Sequence, residues 1–269
     1  MKNKRRNIVT ITLIIIIFIV AWLVFCGYEW SWGPFAHLHN YKTASLPENA
    51  EEYSLDRAEV IGNSPLKNKK IVFLGSSVTY GASSMGVSFA DYIGKENECI
   101  AIKEAVSGTT LVDEGNNSYI SRLNKMKEKD VDIFVCQLST NDATQKKEIG
   151  NVIESKNIDD FDTETVAGAI EYIIAFSKNK WNCPIVFYTN PKYESEEYQK
   201  IVDVLYLIKN KWNIEIIDMW SNTDFNNITN EQRSLYMADK IHPTKAGYLE
   251  WWTPVFNDRL TEVINNESN

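Results

Sequence analysis

From Lys69 onward, short apolar runs alternate with longer amphipathic ones. Ile71-Val-Phe-Leu74, Cys99-Ile-Ala-Ile102, Val131-Asp-Ile-Phe-Val-Cys136, Pro184-Ile-Val-Phe-Tyr188 and Ile214-Glu-Ile-Ile217 are rich in β-branched and aromatic residues. Such near-continuous apolar runs predict strands buried on both faces. Between and after them, near 88–96, 118–128, 163–180, 194–212 and 244–265, apolar positions recur at helical spacing. Ile170, Ile173, Ile174 and Phe176, for example, fall on one side of a helix. Strand–helix alternation through about 200 residues predicts one α/β domain, a three-layer α/β/α sandwich around a mainly parallel five-stranded sheet. No internal repeat or low-complexity tract interrupts it.

The N-terminus has a different pattern. Ile8 to Cys26 is 19 residues long with nothing more polar than Thr10 and Thr12. As a helix it spans roughly 28 Å, about one hydrocarbon core. The basic stretch MKNKRRN precedes it and no comparable stretch directly follows, which predicts the N-terminus inside and the body outside. Bulky Leu23, Val24 and Phe25 stand where a cleaved leader would carry small residues, so the segment reads as an uncleaved signal anchor. The expected organisation is a cytoplasmic tail (1–7), a transmembrane anchor (8–26), a juxtamembrane linker (27–66) and a folded domain (67–269) on the outer side of the cell membrane. Tyr28, Trp30, Trp32 and Phe35 suit the headgroup layer. His37 and His39 read as incidental linker histidines rather than a metal pair.

Composition narrows the function classes. With 44% hydrophobic and 24% charged residues, the 269-residue chain is of ordinary globular type, neither disordered, collagen-like nor disulfide-dense. Four cations stand in residues 2–6, so the remainder is more acidic than the formal charge of −8. An acidic body argues against nucleic acid as a partner and against broad binding to anionic lipid. Cys26 falls in the apolar segment, leaving Cys99, Cys136 and Cys183. No CxxC or HxxxH spacing points to a metal, and Cys136 and Cys183 sit in strand-like runs as small core residues.

In a parallel α/β sheet, ligands bind beyond the C-terminal ends of the strands. The segments there are Gly75-Ser-Ser-Val-Thr-Tyr-Gly81, Ala105-Val-Ser-Gly-Thr-Thr110 and Leu138-Ser-Thr-Asn-Asp142, with Asp239-Lys-Ile-His-Pro243 ahead of the last helix. His242 is the one histidine beyond the juxtamembrane stretch. An aspartate three residues earlier can accept from Nδ1–H and leave Nε2 as a base. A capping aspartate beside a structural histidine would give the same letters. Ser77 is the best-placed nucleophile, although Ser76 and Thr79 offer the same chemistry and spacing does not choose among them. The phosphate-loop pattern and the Gly-x-Ser-x-Gly elbow are both absent. The Ser77 amide, Gly108 and the Asn141 side chain are candidate donors to an oxyanion.

These four blocks, in this order, resemble the SGNH (GDSL-type) hydrolase superfamily, named for its Ser, Gly, Asn and His. The resemblance covers roughly residues 68–265. It implies Ser77 as nucleophile, Asp239 and His242 as the rest of a triad, and Ser77, Gly108 and Asn141 as the oxyanion hole. It also implies a flavodoxin-like sandwich and no metal or organic cofactor. Two positions depart from the family pattern: Ser76 stands for the usual Asp of the first block, and Ser139 for the usual Gly of the third. Members are esterases, lipases, thioesterases, carbohydrate O-acetylesterases and some O-acyltransferases. For an outward-facing domain the expectation is a serine esterase removing small O-acyl groups from a small-molecule or glycan ester at the cell surface. An O-acyltransferase, a lipid esterase or thioesterase, and a non-catalytic binding module are the alternatives. Tyr80, Asn190 and Tyr193 are expected at the substrate rim. Trp251 and Trp252, adjacent on a helix, are expected to pack on the sheet.

Overall fold

Five strands form one sheet in the order β2-β1-β3-β4-β5. They are β1 (Lys70–Gly75), β2 (Ile100–Ala105), β3 (Ile133–Gln137), β4 (Ile185–Tyr188) and β5 (Glu215–Ile217), and every neighbouring pair is parallel. This computed structural model describes residues 2–30 and 32–267. The helices are α1 (Lys2–Trp30), α2 (His39–Ala44), α3 (Ser77–Tyr80), α4 (Phe89–Asn97), α5 (Tyr119–Lys125), α6 (Thr140–Thr144), α7 (Val166–Trp181), α8 (Glu196–Trp212), α9 (Thr223–Asn226), α10 (Asn230–Tyr236) and α11 (Thr253–Glu267). A π-helical turn, Gly247–Trp252, leads into α11.

The period of two along each strand divides the core. Val72, Leu74, Phe134, Cys136, Ile185 and Phe187 face one side, where α5, α7 and α8 pack. Their neighbours Ile71, Phe73, Ile133, Val135, Val186 and Tyr188 face the other, with α4 and α11. Burial on both faces explains why β1, β3 and β4 read as unbroken apolar runs, and it produces the expected three layers; β2, at the sheet edge, is only half-buried and leaves Ile100 exposed, contrary to expectation. Trp251 and Trp252 do pack inward. Trp252 is fully buried, and the Trp251 ring stacks on Phe225 at 4.4 Å. On the same face Phe89 meets Phe256 at 4.1 Å.

Successive connections from β1 leave in opposite directions, toward β2 and then toward β3 on the other side. That reversal opens a crevice at the C-terminal ends of β1 and β3, the usual ligand position in this strand order. Gly75 and Gln137 end those two strands.

The chain divides into two compact units, Met1–Ala50 and Glu51–Asn269. In the first, the apolar segment lies within α1. Residues Asn7–Glu29, with a mean hydropathy of 3.2 over an 18-residue window, are long and apolar enough to cross a membrane, as an anchor or a signal sequence would be. Within that unit His39 Nδ1 lies 3.0 Å from the Tyr28 carbonyl oxygen, and Lys42 pairs with Glu29 at 2.6 Å. The basic side chains of residues 2–6 and the Trp30 ring lie outside the described residues.

The stretch 27–66 is not a single linker. Its second half, from Glu51, belongs to the larger unit. Leu66 is fully buried, Tyr92 donates to the Tyr53 carbonyl at 2.6 Å, and Ser64 donates to Asn97 Oδ1 at 2.6 Å. These are isolated anchors on α4 without periodicity, so a search for regular patterns passes over them.

Candidate active site

The first block turns sharply out of the sheet. Gly75 ends β1, Ser76 follows, and the single turn α3 begins at Ser77. A β-carbon on Gly75 would lie 1.7 Å from Thr79 Oγ1, so no side chain fits there. Ser77 is buried except for 7% of its surface, and its Oγ lies 2.8 Å from His242 Nε2.

The fourth block is built around one carboxylate. Asp239 Oδ2 lies 2.8 Å from His242 Nδ1, while Oδ1 accepts the backbone N–H groups of Ile241 at 2.7 Å and His242 at 2.8 Å. One side chain therefore shapes the turn and aims the ring. A carboxylate can only accept, so Nδ1 carries the proton and Nε2 is left to take the hydroxyl proton of Ser77. Partial burial raises the carboxyl's pKa, but the bond and charge of His242 and the two backbone N–H groups outweigh it, bringing Asp239 down to about 2. It is ionised throughout the neutral range. The turn is pinned further by Ala238 N–H, which donates to the His242 carbonyl at 2.9 Å. Asn190 Nδ2 donates to the Ile241 carbonyl at 3.0 Å.

The second and third blocks are tied to each other. Gly108 lies on the loop after β2 at φ +80°, with open space where a side chain would stand. Asn141 occupies the first turn of α6, and its Nδ2 donates one hydrogen to the Thr109 carbonyl at 2.8 Å, beside Gly108. The amide's second hydrogen has no hydrogen-bond partner among the described residues. Ser139 caps α6 by accepting the N–H groups of Asn141 at 3.1 Å and Asp142 at 3.4 Å. This departure from the family glycine thus steadies the helix that carries Asn141. Asp142, fully buried, accepts from Leu111 N–H at 2.8 Å and Val112 N–H at 3.1 Å, clamping the Gly108 loop to α6. Burial pushes its carboxyl pKa up, and the Ser139 hydroxyl and those N–H groups offset this only in part.

Arg122 completes the frame. Its buried guanidinium donates to the carbonyls of Gly75 at 2.8 Å, Glu104 at 2.7 Å and Asn117 at 3.0 Å. It therefore joins the ends of β1 and β2 under the site. Sequence reasoning missed this role, and the available signal was an arginine on the otherwise apolar face of α5.

The expected rim is only partly present. Tyr80 is 45% exposed, three residues after Ser77. Asn190 is fully buried and offers no surface to a substrate. Position after a strand end was the basis for expecting it at the rim, but its side chain turns inward to hold the His242 turn. Tyr193 is half-buried, its ring packed on Tyr198 and Trp220 at 5.5 and 5.2 Å.

A family model described as the GDSL-like lipase/acylhydrolase family matches residues 73–249, a span holding all four blocks. The chain belongs to this family. A search of curated proteins finds no match. Among solved structures, this GDSL hydrolase is similar to a protein from Bacteroides ovatus described as a GDSL-like lipase. The two are 18% identical with a TM-score of 0.55, over 72% of this chain and 98% of that one. A protein from Lactobacillus plantarum is 16% identical with a TM-score of 0.58, over 74% and 98% of the respective chains. A family two carbohydrate esterase from Clostridium thermocellum, solved with cellohexaose, is 17% identical with a TM-score of 0.50, over 75% and 65%. At these identities the likeness is one of fold. The GDSL hydrolase is a serine hydrolase by family; the Ser77–His242 contact joins its first and fourth blocks, and the Asn141–Thr109 bond its second and third.

Proposed function

We propose that this GDSL hydrolase is a membrane-anchored, extracytoplasmic serine esterase that removes small O-acyl groups, acetyl first, from cell-surface or extracellular carbohydrate. The observation that carries the reading is the unbroken hydrogen-bonded series Ser77–His242–Asp239, 2.8 Å at each link, at the mouth of the β1/β3 crevice. His242 Nε2 takes the hydroxyl proton as Ser77 Oγ attacks the ester carbonyl. The Ser77 and Gly108 N–H groups and the free hydrogen of Asn141 Nδ2 hold the oxyanion. The imidazolium returns its proton to the leaving alcohol, and a water molecule activated by the same ring then releases the acid.

The glycan preference rests on chemistry near Gly108. A cavity of about 140 Å³ adjoins it, lined by Thr109, Thr110, Glu114, Asn117, Ser118 and Gln145, all polar. Such a lining offers hydrogen-bond partners to a hydroxylated leaving group. The likeness in fold to a carbohydrate esterase is consistent with this reading, and the apolar helix Asn7–Glu29 supports the anchor.

The reading is tested with a p-nitrophenyl ester series from acetate to palmitate, together with acetate release from an acetylated oligosaccharide. Acetate should give the highest kcat/KM, and the oligosaccharide should lose acetate. Preference for the long chains would replace this reading with a lipid esterase. Asn141→Ala should lower kcat on p-nitrophenyl acetate by roughly 10²–10³-fold with little change in KM, as expected for a donor used mainly in the transition state. An unchanged rate would remove Asn141 from the oxyanion hole.

A further inference from the structure

The side chain of Gln137, the last residue of β3, is fully buried beneath the nucleophile turn. Its Oε1 accepts the Ser76 N–H at 2.8 Å, the Ser76 hydroxyl at 3.2 Å, the Thr79 hydroxyl at 2.9 Å and the Thr79 N–H at 3.4 Å. Backbone N–H groups can only donate, so the amide must present its oxygen to them. Nε2 then has no hydrogen-bond partner among the described residues. Because the Thr79 hydroxyl spends its hydrogen on Gln137, the Tyr188 hydroxyl, 2.6 Å away, donates to Thr79. The relay Tyr188 to Thr79 to Gln137 thus joins the ends of β3 and β4 to α3.

The chemical consequence lies one bond further on. The peptide linking Ser76 to Ser77 carries the Ser77 N–H, the first oxyanion donor. Gln137 holds that peptide's residue from its N–H side, and Tyr80 N–H holds the Ser76 carbonyl at 2.9 Å. With both sides fixed, the direction of the Ser77 N–H is set before substrate arrives.

We propose that Gln137 is a positioning residue for the oxyanion hole, and that Ser76 and Gln137 form a matched donor–acceptor pair accounting for the Gly-Ser-Ser block. An aspartate at position 76 would set a carboxylate against Oε1, acceptor facing acceptor, while the backbone N–H groups prevent the amide from turning over. Serine supplies a donor instead. The inference rests on the serine-esterase reading above.

The test uses the full chain in detergent, with two readouts. One is kcat and KM on p-nitrophenyl acetate. The other is inhibition by phenylboronic acid, whose boron bonds to Ser77 Oγ and places one oxygen where the oxyanion forms. Gln137→Met should lower kcat by roughly 10–100-fold with KM within about twofold, and weaken boronate inhibition by a similar factor. Gln137→Glu offers an oxygen to the same four donors and should restore kcat to within about fivefold of wild type. Ser76→Asp should fall as Gln137→Met does, and it carries the test if the methionine variant does not fold.

Three results would overturn the proposal: Gln137→Met or Ser76→Asp at the wild-type rate, a fall in kcat without the matching loss of boronate affinity, or a folded Gln137→Glu no better than Gln137→Met. Failure of the esterase reading looks different, because there the wild type itself neither turns over nor binds the boronate.

Discussion

Replacing Ser77 with alanine is expected to lower kcat/KM for p-nitrophenyl acetate by about 10⁴-fold or more while the fold survives. The neighbouring hydroxyls cannot stand in for it. Ser76 Oγ and Thr79 Oγ1 are fully buried and both donate to Gln137 Oε1, whereas Ser77 Oγ is the atom bonded to His242 Nε2. Alanine removes one hydroxyl and leaves no cavity, so the stability change should stay near that of one hydrogen bond, about 1 kcal/mol. Thermal unfolding beside the kinetics separates the two effects. His242→Ala should cost a comparable factor, and the double variant little more, because the two side chains act as a unit. Residual activity near the wild-type level in Ser77→Ala would assign the nucleophile elsewhere.

The second large effect is expected at Asp239. Asparagine at this position can keep its Oδ1 on the N–H groups of Ile241 and His242, so the turn holds. Its NH₂ then faces His242 Nδ1, which must become the acceptor, and the ring proton moves to Nε2. A protonated Nε2 cannot take the proton of Ser77. Asp239→Asn should therefore lower kcat by roughly 10²–10⁴-fold with near-native structure. A rate within threefold of wild type would show that the carboxylate does not set the tautomer.

The same carboxylate gives a pH signature. Its pKa of about 2 in the folded chain lies below the ordinary aspartate value of ~3.9. A depressed carboxyl adds stability that is fully present above the unfolded value and is lost as pH falls through the folded one. Wild type should thus lose stability between about pH 4 and pH 2, with a shallower loss in Asp239→Asn. Across the range where the enzyme is assayed Asp239 stays ionised.

β1, β3 and β4 were legible in the sequence because burial on both faces leaves few polar residues inside them. β3 begins at Ile133, two residues later than the apolar run suggests. Asp132 is drawn off to accept the Lys70 N–H at 2.8 Å. The functional blocks were legible for a topological reason, since three follow directly on strand ends and the fourth stands just ahead of a helical segment, which begins after Thr244 rather than at Pro243. Spacing did not choose Ser77 over Ser76 and Thr79, and only the family resemblance did, because the choice depends on which hydroxyls Gln137 occupies from 58–61 residues away. Arg122 and Asp142 escaped for the same reason, as partners brought together only by the sheet. Asn190 was misplaced because position after a strand end does not say which way a side chain turns. In residues 51–66 the anchors Ala58 and Leu66 are too sparse to form a pattern.

The most direct test of the central claim, that Ser77 is a nucleophile activated by His242 and Asp239, is covalent labelling. The full chain is treated with a fluorophosphonate, and the modified residue is located by peptide mass spectrometry. The expected result is one adduct per chain on Ser77, with fluoride displaced, and labelling strongly slowed in His242→Ala. An adduct on Ser76, Thr79 or another residue, or an active esterase that takes no label, would contradict it.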